Sequence, residues 1–179
     1  LLKIAHKAAT MPMSPVMLQF VEDELTLAPA LIARTVAAIL QPPVRAGMAP
    51  NTADRSAQQG LIDTLRKHSA TFEQTFVDQL RARVMADMQD LAHPAGTSPL
   101  MGDLQLMDEV RVEADIEISR TAQLIDSAAE WERRELQTFT STLMGQEHVG
   151  ADSNPLRPAA YAHALWEACS AIPLTTTQR

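Results

Sequence analysis

Between Ala53 and about Leu91 the apolar residues Leu61, Leu65, Phe72, Phe76, Leu80, Val84, Met88 and Leu91 recur mainly at intervals of four, with one step of seven. Charged side chains fall between them: Arg66-Lys67, Glu73, Asp78, Arg81, Arg83 and Asp87. This is the spacing of one face of an amphipathic helix. No proline interrupts the run, and Gly60 marks either a boundary or a loosened first turn. A second periodic stretch starts near Asp108 and ends near Met144, where Gly145 is a C-terminal stop. Its stripe is Ile118, Ala122, Ile125, Ala129, Leu136, Phe139 and Leu143.

Shorter elements flank these two. Residues 1–9 read as a short helix, which "TMPMSP" breaks. Pro15 then sits in the first turn of a new helix. Pro29 is expected to kink or divide it, because a helical proline lacks a donor and crowds the preceding turn. Beyond Pro29, Leu31, Val36 and Ile39-Leu40 form an apolar stripe, and Pro42-Pro43 ends the element. Residues 42–52, with three prolines and a glycine, are a linker, and 93–103 a second loop. Near the end, "ADSNPLRP" is turn chemistry followed by a rigid corner, with Pro158 in the first turn of a last helix. Tyr161, Leu165, Ala168 and Ile172 give that helix an apolar face, and Pro173 ends it.

Two segments of roughly ten turns each, joined by a short loop, predict a long antiparallel hairpin. The fold class expected is therefore all-α: a helical bundle built on that hairpin, with shorter N- and C-terminal helices. The organisation expected is N-terminal helices over 1–41, the linker over 42–52, and one domain over 53–179. The seven-residue rhythm is imperfect, which favours a packed bundle over a dimeric coiled coil.

Composition sharpens this picture. Apolar residues make up 46 % of the 179 and aromatics only 4 %, so the core relies on aliphatic side chains and nine methionines. The net charge of −7 is concentrated in residues 93–150, which hold eleven acidic and four basic side chains. That distribution argues against a nucleic-acid surface, which needs a basic stripe. Asp108, Glu109, Glu113, Asp115 and Glu117 crowd the first turns of the second long helix, where the helix dipole favours anions. Much of the acidic excess thus has a structural reason and reads first as a solvated helix face; a docking surface for a basic partner is the weaker alternative. One cysteine, Cys169, suits a reducing compartment, and no apolar run approaches the ~18 residues of a membrane span. The expected location is cytoplasmic, with no membrane partner. The chain begins on Leu1 and reads as a segment of a longer protein.

The residues that carry chemistry elsewhere are sparse here. "GQEHVGADS" lacks the Lys-Ser/Thr of a phosphate loop. No two of the five histidines stand at i, i+4, and no Glu-x-x-His motif is present, so neither metal nor cofactor is expected. Cys169 lies six residues after His163, about 9 Å along a helix axis, too far for a direct pair. Glu130 and Arg134 at i, i+4 make a surface ion pair before a catalytic dyad. Met11, Met13 and Met17 fill gaps under a loop or line an adaptable groove. Trp131 and Trp166 either seal the bundle or anchor an interface. Arg157 and Trp166 are left over once the corner and last helix are accounted for. Arg157, Trp166 and Trp131 are therefore the candidate interaction residues, and no residue is assigned a catalytic role.

The stretches "LQLMDEVRVEADIEISRTAQLIDSAAEWERRELQTFTSTLMG" and "ADSNPLRPAAYAHALWEACSAIPL", about residues 104–174, resemble a bacterial family of unknown function. Its members are long cytoplasmic proteins, some labelled thymidine phosphorylase without evident basis. The shared marks are "LxLMDE", the acidic helix, "EWERREL" and "NPLRP…ALWEA". The resemblance implies one segment of a longer protein and carries over no catalytic residue. The leading expectation is a non-enzymatic interaction module, scaffolding or regulatory, that binds a protein partner or itself. The alternatives are a small-ligand or nucleotide-signal sensor with a pocket near residues 146–166, and an enzyme completed by further domains.

Overall fold

The structure, a computed structural model, describes residues 15–41, 52–92, 109–144 and 154–174. The expected helix over 1–9, most of the linker, the loop over 93–103, the Asp108 cap, the Gly145 stop, and Met11 and Met13 lie outside the described residues. Among the described residues there are five helices and no strand: α1 Pro15–Leu40, α2 Thr52–Ala92, α3 Glu109–Ala128, α4 Glu130–Met144 and α5 Pro158–Ser170. The protein is the all-α bundle that the periodicity predicts.

In α1 the buried line is Met17, Val21, Leu25, Ala28, Ile32 and Val36, one residue each turn. The helix runs undivided through Pro29, so of the expected kink or division the division does not occur. Pro29 is exposed, and the buried Leu25, Ala28 and Ile32 on either side hold the helix across the missing donor. Of the expected stripe, Val36 is buried and Leu40 half-buried against the core, and the correction falls on Leu31 and Ile39. Ile32 and Val36 face inward, whereas Leu31 and Ile39 are about 40 % exposed. Both faces of α1 carry large apolar residues, so the sequence pattern alone does not choose between them.

In α2 the predicted stripe is the core: Leu65, Phe72, Phe76, Leu80, Val84 and Met88 are all buried. The helix continues through Gly60 and departs from helical geometry at His68 (φ −119°, ψ 18°). His68 sits inside the seven-residue step from Leu65 to Phe72. Strict steps of four advance a stripe about 40° around a helix of 3.6 residues per turn. The irregular step and the break at His68 bring it back. A stripe that wanders in this way needs more than one neighbour, and α2 packs on both α1 and α5. Arg81 Nη1 donates to Glu22 Oε2 of α1 at 2.8 Å, an exposed pair that adds about 0–1 kcal/mol.

The pairing inside the bundle differs from a simple two-arm hairpin. α5 lies between α2 and α3 and is the helix that packs most extensively on both. Its start meets Asp87 through Arg157, while Ile172 and Leu174 beyond its end share a cleft with Leu61 and Leu65. α5 therefore runs antiparallel to α2. Ala122 and Asp126 lie by Arg157 and Pro158, and Glu117 and Ile118 by Trp166 and Cys169, so α3 also runs antiparallel to α5. α2 and α3 then point the same way. The cause is in α5, which buries Ala160, Ala162, Ala164 and Ala168 almost completely. Those alanines fall on more than one side of the helix, and their small size lets flanking backbones approach closely. A helix apolar on all sides belongs in the middle.

The second long segment is divided at Ala129 into α3 and α4. The backbone bonds Ala129 N–H to Ile125 O (3.0 Å) and Arg133 N–H to Ala129 O (2.9 Å) bridge the break. α4 reaches α1, where Phe20 and Phe139 meet edge to face with ring centroids 5.0 Å apart. Tyr161 on α5 packs half-buried against the core. Burial raises its phenol pKa above the ordinary 10.0, and the Glu24 carboxylate on α1 adds to the rise. The folded state therefore holds this proton where the unfolded chain releases it. Its contribution is fully present below pH 10.0 and is lost as pH rises above that value through the folded pKa. Ultraviolet pH titration of this sole tyrosine should show its ionisation displaced upward in native protein and back at the ordinary value in urea.

Candidate functional site

The corner "NPLRP" is built by local chemistry. Asn154 Oδ1 accepts from Leu156 N–H (3.0 Å) and Asn154 O accepts from Arg157 N–H (3.1 Å), so the turn is closed twice. Pro155 and Pro158 fix φ on either side of Leu156-Arg157. Pro158 opens α5, and Arg157 is its N-cap in an extended conformation (φ −69°, ψ 154°). Asn154, Pro155 and Leu156 are buried.

Two polar links fasten this corner. Asn154 Nδ2 donates to Thr140 Oγ1 of α4 at 3.4 Å, and Thr140, fully buried, donates in turn to Leu136 O at 2.9 Å. Arg157 Nη2 pairs with Asp87 Oδ2 of α2 at 2.9 Å, with side chains 23 % and 11 % exposed. Asp87 Oδ1 also faces Arg83 Nε one turn back at 3.5 Å. The corner therefore joins α2, α4 and α5 at one point.

Beside it lies a cavity of about 340 Å³ between α3, α4 and the start of α5. Leu136, Leu156 and Pro158 form apolar wall, and Gln123, Gln137 and Asn154 supply amides. Arg133 is ion-paired with Asp126 across the α3–α4 break and donates to Gln137 Oε1 at 3.4 Å. Among the described residues its charged members are Asp126, Arg133 and Arg157, so the groups converging there can bind a small polar molecule. A second cavity of about 260 Å³ is mostly apolar, walled by Phe72, Ile118, Leu165, Trp166 and Ile172, with Glu117 and Thr121 as polar members. Half-buried Cys169 also lines it. His163 Nδ1 is buried and finds no hydrogen-bond partner among the described residues.

The three residues singled out from the sequence stand apart. Arg157 is in the corner, Trp166 is half-buried in the apolar cavity, and Trp131 on α4 is 69 % exposed. Glu130 and Arg134 make the expected surface pair at 2.5 Å. What the sequence reading missed is a second apolar line on α3 and α4. Ile118, Ala122, Ile125 and Ala129 are only half-buried, and no described side chain of α3 is fully buried. Opposite them, Ile116 (57 % exposed) and Leu124 (66 %) lead to Trp131 along the outer face. Their spacing of eight and then seven residues is the signal that would have found them.

Among the described residues, no group of three or more His, Cys, Asp or Glu could hold a metal ion, and no helix is long and apolar enough to cross a membrane. The fold and its surfaces thus define an all-α domain with a polar cavity at a proline corner and a solvent-facing apolar strip. The chain belongs to the family described as protein of unknown function (DUF1631), N-terminal domain, whose model matches residues 43–179. No curated protein and no solved structure matches the chain.

Proposed function

We propose that this domain is a non-enzymatic protein-interaction module, scaffolding or regulatory, of a larger bacterial cytoplasmic protein. The observation that carries this reading is the strip Ile116, Leu124 and Trp131, three large apolar side chains more than half exposed on one face of α3 and α4. Scattered exposed apolar residues are ordinary on a protein surface. A line of three over four turns, ending in a tryptophan, is the arrangement that anchors an interface. α3 packs on α5 by one side, so this outer face is unpartnered within the described chain. The bacterial and cytoplasmic setting is supported by the sequence resemblance alone.

A second reading takes the domain as a small-ligand sensor, and the polar cavity beside Asn154 and Arg133 favours it. One pair of measurements separates the two. A photo-crosslinking residue at position 124 or 131 of the full-length protein in cells should give a discrete adduct, and one at the exposed Gln74 of α2 should not. Small polar ligands should leave the melting temperature of the chain unchanged. Absence of any adduct at 116, 124 and 131 sinks the interaction reading, and a ligand-induced rise in melting temperature favours the sensor.

A further inference from the structure

We infer that the Ile116–Leu124–Trp131 strip receives a basic amphipathic helix of another protein, an inference that rests on the interaction reading above. The strip runs over fifteen residue steps, about 22 Å at 1.5 Å per residue, which a helix of similar length covers with an apolar face continued over about four turns. Its setting is acidic. Glu113 lies at one end and Glu132 and Glu135 at the other, all exposed. The two arginines that share the face are held by acids of their own helices, Arg120 by Glu117 (3.4 Å) and Arg134 by Glu130 (2.5 Å). The surface offered to a partner therefore presents Ile116, Leu124 and Trp131, with the Glu117-paired Arg120 and Ser127 between them, and is negative at its ends.

Charge decides among the possible occupants. A second copy docked by a twofold axis sets this same acidic strip against itself, and like charges facing each other oppose that pairing. An anionic lipid surface is repelled for the same reason. A helix whose apolar face is edged with lysine or arginine meets the strip with complementary charge at both ends. Its association is steered electrostatically and weakens as salt screens the ends.

The test uses the 179-residue chain and a fluorescein-labelled peptide of about 18 residues, leucine and lysine in helical period. Fluorescence anisotropy should show saturable binding that weakens about fivefold or more between about 50 and about 300 mM salt. A Leu124→Glu/Trp131→Glu double variant, with its helical content checked by circular dichroism, should bind at least about tenfold more weakly. Gln74→Glu should bind as the unchanged chain does. Added glutamates strengthen a purely electrostatic association, so a loss reports the apolar strip. Equal or tighter binding by the double variant overturns the inference, as does equal binding of a leucine-glutamate peptide. A dimer in sedimentation that the double variant dissolves also overturns it, in favour of a second copy. If crosslinks at 124 and 131 persist while the basic peptide fails, only the partner's chemistry falls. If both fail, the interaction reading falls with it.

Discussion

Replacing Phe76 with alanine should destabilise the domain by about 3–5 kcal/mol. Phe76 is 2 % exposed and stands mid-way along α2, among Phe72, Leu80 and the core lines of α1 and α5. Deleting the ring loses its transfer free energy and leaves a hole in the core that α1, α2 and α5 share. α1 is tied to α2 by Arg81 and Glu22, and α5 by Arg157 and Asp87. Natural domains retain only about 5–15 kcal/mol in total, so this one change removes a large share. The comparison that gives the prediction its edge is Phe139→Ala. Phe139 is 50 % exposed and its main packing is the edge-to-face contact with Phe20. That contact contributes about 0.5–1.5 kcal/mol beyond area. Urea unfolding followed by circular dichroism, with equal slopes for both variants, measures the difference. If Phe139→Ala costs as much as Phe76→Ala, the burial of α2 described above is mistaken.

Arg157→Ala should cost about 3 kcal/mol, near the lower end for breaking a buried pair. The guanidinium is 23 % exposed, so part of its interaction is screened, but its partner Asp87 is only 11 % exposed. Truncation leaves Asp87 Oδ2 buried without that cation, and the remaining contact to Arg83 is longer, at 3.5 Å, and made by the other oxygen. It also releases the start of α5 from α2, so the loss should appear as global unfolding at lower urea. The paired replacement Asp87→Leu/Arg157→Met should recover much of the stability, because apolar residues of similar volume can replace a buried ion pair at little cost. A double variant no more stable than Arg157→Ala would show that Arg157 acts through something other than Asp87.

These two residues illustrate how unevenly the sequence speaks. Phe76 belongs to a stripe with four-residue spacing and strong contrast to its polar neighbours, and its burial follows from that contrast. Arg157 stands out in "NPLRP" only because the prolines, Asn154 and Leu156 each have an evident local task. Its partner Asp87 is seventy positions earlier, on another helix, where it reads as one more charge between apolar residues. A pocket near 146–166 is expected from the sequence, and Asn154, Leu156, Arg157 and Pro158 line one, but its other walls are not legible there, since Asp126, Arg133 and Gln137 meet the corner only when α3, α4 and α5 are folded together.

Local chemistry is what the sequence by itself determined: helical period, the helices opened by Pro15 and Pro158, the turn at Asn154, and hence the all-α class. These depend on contacts within about one or two turns, where residue type and spacing are sufficient. Tertiary structure decided which face of α1 turns inward, that Pro29 does not end it, and that α5 fills the space between α2 and α3. Each of those outcomes is a choice between faces or partners with similar local preference. Such choices are settled by how much apolar surface the whole arrangement removes from water. Alanine is the clearest case. In the sequence it is a helix former like many others. In α5 its small side chain lets α2 and α3 both pack against it, and the far side of α3 leaves Ile116 and Leu124 in water, with Trp131 of α4 beyond them.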